Sequence, residues 1–244
     1  MTKEETNGQE PERDRVGSKA SLEVIRWFLL GSFKVFFRMR VRDVKNCPMK
    51  GPLLVASNHA SHADPVFLGG TVPRRIRFLA RSSLFRSRPF RALIQFFGAV
   101  PIEREGIGLG GIRKTVDLLR EESAVIVFPE GTRSRDGTIG KLQGGLATIA
   151  KRSGAPILPV WIDGSHRVLP RGTKWPRPTK VEVRYGRAFR VPVELDTDRV
   201  LEIVREQWLA LANGDPIPEP GGQVPIAATA SQKRESIAAP SAAK

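Results

Sequence analysis

Short apolar runs alternate with segments of helical periodicity along the middle of the chain. The runs are bounded by Gly, Pro and polar residues, which predicts buried strands, and the run at 124–128 is the clearest. Strands are predicted at 53–56, 76–80, 99–102, 124–128, 155–162 and 180–186. Helices are predicted at 91–97, 107–122, 142–154 and 197–212. This alternation predicts the α/β fold class, as a single-domain α/β sandwich around a mostly parallel, mixed sheet.

The segment at 19–41 has the pattern of an amphipathic helix. At about 100° per residue its apolar side chains share one broad arc, and charged residues lie opposite. The arc holds Val24, Ile25, Phe28, Leu29, Val35, Phe36 and Met39. The longest charge-free run, 27–33, is far shorter than the roughly 18–20 residues that a spanning helix needs, so we expect no spanning helix. Aromatic and basic residues at the polar boundary favour a helix on a membrane surface, and a core helix is the alternative.

The two ends of the chain differ in composition from its middle. Residues 1–18 are polar and mix acids with bases, which predicts a disordered tail and no signal peptide. Residues 214–244 are rich in Pro, Gly, Ala and Ser without periodicity, which predicts a second disordered tail. The interpretation is therefore a membrane-associating helix at 19–41 and one folded domain at 42–213, between two tails.

The net charge of the chain indicates which classes of binding partner it favours. There are 40 Lys+Arg against 25 Asp+Glu, a formal charge of +15, which favours nucleic acid, a lipid headgroup surface or a phosphorylated substrate. A single Tyr, and Phe residues concentrated in apolar runs, argue against nucleic acid, which needs aromatic side chains among basic ones. One cysteine excludes a disulfide framework and a cysteine zinc site, and three histidines leave little room for a metal cage. We expect no metal and no nucleic-acid partner.

The first candidate for chemistry is the sequence NHASHAD at 58–64, directly after a predicted strand. His59 and Asp64 on one ideal helix would lie about 140° apart and could not meet. If His59 lies on the turn before the helix, Asp64 in the first turn folds back onto its ring, which gives a base held by a carboxylate and able to activate a hydroxyl. The alternative is that Asp64 and Pro65 only start the helix and His59 satisfies the turn backbone. His62 is expected to be solvated or to lie behind the site.

Two further candidates follow predicted strands. The sequence FPEGTRS at 128–134 places backbone N–H groups, the Thr132 hydroxyl and the Arg133 guanidinium on one turn with Gly131, which suits a phosphate or carboxylate. Arg104 comes just after the strand at 99–102 and is placed to reach the same crevice. A solvated loop is the alternative for both.

In this order, the patterns NHxSxxD, GxxxIxR and FPEGTRS and a proline-flanked apolar strand at 155–160 resemble the glycerolipid acyltransferases. The closest resemblance is to the 1-acylglycerol-3-phosphate acyltransferases, and the motifs span 58–160. The resemblance implies acyl transfer from acyl-CoA or acyl-carrier protein to the free hydroxyl of lysophosphatidic acid, which gives phosphatidic acid. It implies no cofactor beyond this co-substrate, membrane lipids as partners, and a peripheral or monotopic place on the cytoplasmic face of the cell membrane.

The resemblance also implies roles for single residues. His59 would be the general base, and Asp64 would hold it and balance its charge. The acceptor-binding residues would be Arg104, Glu130, Gly131, Thr132 and Arg133. Of these, the two arginines are assigned to the phosphate. A carboxylate beside a phosphate would repel it, so Glu130 is expected to orient an arginine or a glycerol hydroxyl.

Other functions are compatible with the same residues. The same chemistry on glycerol 3-phosphate, another lysophospholipid or an amino-acid lipid is the main alternative. A non-catalytic module that binds anionic membranes or nucleic acid is a distant one. The basic run at 74–91 would bind lipid headgroups or the phosphates of CoA, or would form a solvated surface.

Overall fold

A computed structural model describes residues 19–103, 108–169, 173 and 175–219. The helices in this part of the chain are α1 (Lys19–Phe36), α2 (Asp64–Thr71), α3 (Arg88–Phe96), α4 (Leu109–Arg120), α5 (Gly145–Ser153) and α6 (Thr197–Asn213). The strands are β1 (Arg40–Arg42), β2 (Leu53–Ser57), β3 (Ile76–Arg81), β4 (Ala99–Ile102), β5 (Ala124–Val127), β6 (Ile157–Asp163) and β7 (Glu182–Tyr185). Short 3₁₀ turns lie at Val44–Asn46, Ser82–Phe85 and Ser165–Arg167.

The described strands form one seven-stranded sheet in the order β1-β7-β6-β2-β5-β3-β4. The five strands from β6 to β4 are parallel to one another. β7 is antiparallel to β6, and β1 is parallel to β7. The sheet is therefore mixed and mostly parallel, which confirms the predicted α/β fold class.

Helices cover both faces of this sheet because alternate strand residues enter different cores. Leu53 and Val55 of β2 pack in one core with side chains of α1, α2 and α3. Leu54 and Ala56 pack in the other core with side chains of α4, α5 and α6. All five residues of β2 are buried, as expected for the centre of a parallel sheet.

The first helix ends earlier than its sequence pattern predicts. α1 stops at Phe36, and Arg40–Arg42 form the edge strand β1 instead of a last helical turn. Phe33 and Phe37 are buried against Phe67 of α2, with ring centroids 5.5 and 5.2 Å from it.

Part of the predicted apolar arc of α1 faces away from the protein. Val24 is 68% exposed, Phe28 73% and Val35 83%. Phe36 is 45% exposed, whereas Met39, beyond the helix, is buried. The side chains of Ile25 and Leu29 lie outside the described residues.

The last helix of the described residues ends where the predicted folded domain ends. α6 ends at Asn213, and Gly214 caps it in the left-handed conformation with φ of +81°. Residues 214–219 form no regular element. The two predicted tails at 1–18 and 220–244 lie outside the described residues.

Candidate active site

The candidate residues lie at the carboxyl ends of two neighbouring strands. β2 ends at Ser57, just before Asn58 and His59, and β5 ends at Val127, just before Phe128. β2 and β5 pair in parallel, so both ends open on the same edge of the sheet. The chain leaves β2 toward β3 and later leaves β5 toward β6 on the other side of β2. Such a switch point opens a crevice at the carboxyl edge, where open α/β sheets bind ligands.

His59 and Asp64 meet directly at this edge. Nδ1 of His59 lies 2.8 Å from Oδ2 of Asp64, although the two are five positions apart. The His59 side chain is 19% exposed, and the Asp64 side chain is fully buried. His59 precedes the helix, and Asp64 is the first residue of α2, so the turn between them lets the carboxylate fold back onto the ring. The contact requires a proton on Nδ1, which leaves Nε2 of the neutral ring as a base.

Backbone hydrogen bonds fix the same carboxylate. The N–H groups of Ala60 and Ser61 each donate to Oδ2 of Asp64 at 2.7 Å. The other oxygen, Oδ1, is buried and accepts no hydrogen bond within the described part of the chain. Asp64 therefore holds both the ring and the turn that carries it.

Glu130 holds the backbone on the other side of His59. The His59 N–H donates to its Oε1 at 2.9 Å, and the Gly140 N–H donates to its Oε2 at 3.0 Å. Burial raises the pKa of Glu130, while these two N–H donors act in the opposite direction. A Cβ on Gly140 would come within 2.8 Å of Oε2, so only glycine leaves room for this contact.

The loop after β5 packs around the ring of His59. The Phe128 ring stacks on it, with centroids 4.0 Å apart and an angle of 21° between the planes. The Ser134 N–H donates to the His59 carbonyl at 2.7 Å. Gly131 turns this loop with φ of +69°, a conformation that favours glycine. Phe128 thus packs on one face of the imidazole ring, and Ser134 fixes the backbone of His59.

Asp136 closes the far end of this loop. Its carboxylate accepts hydrogen bonds from the hydroxyl of Thr138 at 2.7 Å and from the hydroxyl of Ser134 at 3.0 Å. These bonds, led by the one from the Thr138 hydroxyl, lower the pKa of Asp136 from 3.8 to about 2. The loop is therefore held by an ionised carboxylate at neutral pH.

Asn58 joins the end of β2 to β6. Its side chain donates to the Ile162 carbonyl at 3.0 Å and accepts from the Ile162 N–H at 2.7 Å. Asn58 is buried, so this pair of bonds replaces ladder bonds where the two strands diverge.

The structure brings together most of the predicted site residues. The loop of Gly131, Thr132 and Arg133 runs beside His59, because Ser134 next to it bonds the His59 carbonyl. The Arg133 side chain is half-buried and makes no hydrogen bond or ion pair with any residue that the structure describes. Arg104 lies outside the described residues. His62 is exposed.

The contacts of Glu130 differ from the expectation. Both of its oxygens contact backbone N–H groups of His59 and Gly140 rather than an arginine. Sequence reasoning also gave no part to Phe128, Asn58 or Gly140. Phe128 lies in FPEGTRS and Asn58 in NHASHAD, but only long-range contacts show what each one touches.

Comparison with known proteins decides the family. The sequence profile of the family described as Acyltransferase matches residues 38–163, more than half of the chain. The chain belongs to the acyltransferase family. The matched range includes His59, Asp64 and the loop at 128–134.

Named relatives fall in one group of this family. The 1-acyl-sn-glycerol-3-phosphate acyltransferase of Bacillus subtilis is 30% identical over 142 residues, which are 56% of this chain and 70% of the relative. A chloroplastic enzyme of the same name from Brassica napus is 26% identical over 142 residues, which are 57% of this chain. The chain spans 41% of the length of that plant relative.

A solved structure shares the fold. The crystal structure of the 1-acyl-sn-glycerophosphate (LPA) acyltransferase PlsC from Thermotoga maritima superposes with a TM-score of 0.65 and 27% identity. The match covers 78% of this chain and 79% of that one. Among the helices described here, none has the length and hydropathy that crossing a membrane requires.

Proposed function

We propose that this chain transfers an acyl group from a thioester to the free hydroxyl of 1-acyl-sn-glycerol 3-phosphate, which gives phosphatidic acid. The observation that carries the proposal is the 2.8 Å contact between His59 and Asp64 at the crevice of the sheet. The names of the relatives from Bacillus subtilis and Thermotoga maritima supply the acceptor.

The reaction needs one base and a good leaving group. Nε2 of His59 takes the proton from the acceptor hydroxyl as its oxygen attacks the thioester carbonyl. A tetrahedral intermediate forms, the C–S bond breaks, and the imidazolium returns its proton to the departing thiolate. Asp64 stabilises the imidazolium while it carries that proton. The substrate oxygen is the nucleophile, so no covalent acyl-enzyme is required.

The remaining site residues divide into two roles. Glu130, through the His59 N–H, is a positioning residue for the base. Gly131, Thr132 and Arg133 bind the acceptor, with the Arg133 guanidinium on the phosphate. Arg104, assigned by the family pattern, is the second phosphate ligand.

The donor and the place of reaction complete the proposal. Acyl-CoA or acyl-carrier protein supplies the acyl group, and no further cofactor takes part. The exposed apolar side chains of α1, among them Val24 and Phe28, rest on the cytoplasmic face of the cell membrane and bring the chain to its lipid acceptor.

A panel of acceptors and donors tests the proposal. Purified protein is incubated with lysophosphatidic acid, glycerol 3-phosphate or other lysophospholipids, each with acyl-CoA or acyl-carrier protein, and products are measured by mass spectrometry. We expect phosphatidic acid, and we expect His59→Ala to lower its rate by about 10²–10⁴. His62→Ala, an exposed histidine three residues away, is the matched control.

Two outcomes would contradict the proposal in different ways. If product forms only from another acceptor, the proposed acceptor is wrong, but the proposed role of His59 as the base is not contradicted. Full activity of a folded His59→Ala variant would show that the proposed chemistry is wrong.

A further inference from the structure

The segment that joins β3 to β4 exposes apolar side chains that the reaction does not use. It runs through the 3₁₀ turn Ser82–Phe85 and α3. Leu84 is 38% exposed, Phe90 43% and Leu93 47%. We call the exposed surface of these three residues and of Arg86, Arg88 and Arg91 the α3 platform.

The apolar stripe of α3 extends beyond the protein core. Phe90, Leu93, Ile94 and Phe97 follow the i, i+3, i+4, i+7 spacing of one helix face. Ile94 and Phe97, in the second half of the stripe, are buried, whereas Phe90 and Leu93 in the first half are not. Only half of this helix face is buried in the core. The exposed apolar side chains of the other half are available to contact a further apolar surface.

The charge around this stripe has one sign. No Asp or Glu occurs between Asp64 and Glu103, a stretch that holds seven arginines. Arg86, Arg88 and Arg91 are exposed, and their guanidinium groups make no hydrogen bond or ion pair within the described ranges. Guanidinium groups around exposed aromatic and aliphatic side chains complement an anionic lipid headgroup layer.

The α3 platform lies at the same edge of the sheet as the active site. β3 ends at Arg81 on the edge where β5, its parallel neighbour, leads to Phe128. β1 runs in the opposite direction, so it begins at Arg40 on that same edge, and the end of α1 is only a few residues away. α1 and α3 also cover the same face of the sheet. The exposed side chains of both helices therefore belong to one side of the molecule.

We propose that the α3 platform is a docking surface for an anionic membrane, additional to α1. Phe90 and Leu93 enter the boundary between headgroups and acyl chains, and Arg86, Arg88 and Arg91 bind lipid phosphates. The sheet edge that carries His59 is thereby held against the headgroup layer. This binding does not depend on the acyl transfer proposed above, and it is measured without substrate.

The first test compares two triple variants in vesicle sedimentation. Full-length protein is titrated with vesicles of phosphatidylcholine alone and with vesicles of phosphatidylcholine and phosphatidylglycerol, whose headgroup is anionic. R86Q/R88Q/R91Q is expected to lower the partition coefficient for anionic vesicles by about 100-fold. R113Q/R120Q/R152Q removes the same number of charges from exposed positions on the opposite face of the sheet and is expected to change it by less than about 5-fold.

The second test measures insertion of the apolar side chains. An environment-sensitive fluorophore is attached at Leu93→Cys in a Cys47→Ala background, and a matched label at Leu109→Cys reports the opposite face. Leu109 is 86% exposed on α4. Anionic vesicles are expected to shift the emission of the Leu93 label to shorter wavelength and to leave the Leu109 label unchanged.

The proposal is overturned by any of three results. One is an equal loss of vesicle binding in the two triple variants. Another is equal emission from the two labels. The third is unchanged vesicle binding of R86Q/R88Q/R91Q with a raised KM for acyl-CoA on a water-soluble acceptor, which would assign these arginines to the donor. If the wild-type protein shows no acyl transfer activity, the proposed function is contradicted, but the vesicle-binding results still test the α3 platform.

Discussion

At the residue scale, two buried carboxylates fix one imidazole from opposite sides. Asp64 accepts from the His59 ring and from the N–H groups of Ala60 and Ser61. Glu130 accepts from the His59 N–H. Asp64 holds the His59 ring, and Glu130 holds the His59 backbone. Substitutions of the two acids are therefore expected to have separable effects on catalysis and on folding.

Replacing Asp64 by Asn separates charge from geometry. The Asn oxygen can still accept from the Ala60 and Ser61 N–H groups, but the neutral amide does not stabilise an imidazolium at His59. We expect kcat to fall by about 10²–10⁴ with a small change in KM, measured by steady-state kinetics. Asp117→Asn, at an exposed position of α4, is the control. Wild-type kcat in folded Asp64→Asn would contradict the role of Asp64.

Replacing Glu130 by Gln is expected to affect the position of His59 rather than the stabilisation of its imidazolium form. The amide offers one oxygen for two N–H donors, so either His59 or Gly140 loses its acceptor, at a cost of about 1–3 kcal/mol. Burial raises the pKa of Glu130, so removal of the charge offsets part of this cost. We expect a net loss of about 1 kcal/mol in unfolding free energy and a roughly 10-fold lower kcat.

Urea denaturation and kinetics on the same samples check this expectation. Glu121→Gln, an exposed acid after α4, serves as the control. A Glu130→Gln variant with wild-type kcat would show that the His59 backbone does not need this contact.

At the scale of elements, strand ends determine what meets at the site. β5 lies between β2 and β3, which brings Phe128 and Glu130 to His59. Asn58 secures the other neighbour, β6, through both polar groups of Ile162. The crevice is thus bounded by the ends of β2, β5 and β6. Side-chain contacts hold these ends together in addition to the backbone hydrogen bonds of the sheet.

Asn58→Ala tests this link between β2 and β6. The change leaves the buried N–H and carbonyl of Ile162 without partners, which is expected to lower the unfolding free energy by about 2–4 kcal/mol. Asn46→Ala is the matched control, because the side chain of half-buried Asn46 donates one hydrogen bond, to the Tyr185 carbonyl. We expect it to cost about 1 kcal/mol. Equal losses in the two variants, measured by urea denaturation, would contradict a special role for Asn58.

The local sequence pattern predicted most of the helices and strands and missed the strand β1. β4 falls at the predicted 99–102, and α6 at 197–213 is one residue longer than predicted. β1 was missed because its sequence, Arg-Val-Arg, has no apolar run and continues the spacing of α1. It becomes a strand because β7 offers a partner 142 residues away, at Glu182 opposite Arg40. Such a partner leaves no local signal.

At the scale of the whole molecule, ion pairs and hydrogen bonds make stability depend on pH. Burial acts to raise the pKa of Glu182, but Arg184 and Arg42 outweigh it, so the pKa is lowered. The pKa of Asp136 is lowered to about 2. Groups with lowered pKa stabilise the fold above their unfolded pKa, near 4, and lose this effect as the pH falls through their folded pKa. Glu130, with its raised pKa, has the opposite sign and favours the fold at lower pH.

The thermal midpoint of unfolding is therefore expected to fall as the pH is lowered from about 5 to about 2. Asp136→Asn removes one contribution, so its midpoint is expected to fall less steeply between pH 4 and 2, measured by circular dichroism. Glu121→Gln is expected to keep the wild-type profile. Identical slopes for Asp136→Asn and wild type would show that the Asp136 hydrogen bonds do not contribute to acid stability.

The amino-acid sequence determines the features that depend on near neighbours along the chain. It determines the order of the strands and helices other than β1, because burial leaves a period of two or of 3.6 in the chain. The spacing of His59 and Asp64 left two placements open, and the 2.8 Å contact between them shows that the carboxylate folds back onto the ring. The tertiary structure alone decided the strand order and hence that Phe128, Glu130 and Gly140 surround that histidine. It also decided which half of the α3 stripe stays outside the core. Strand pairing and core entry depend on partners many residues away, and no local periodicity records them.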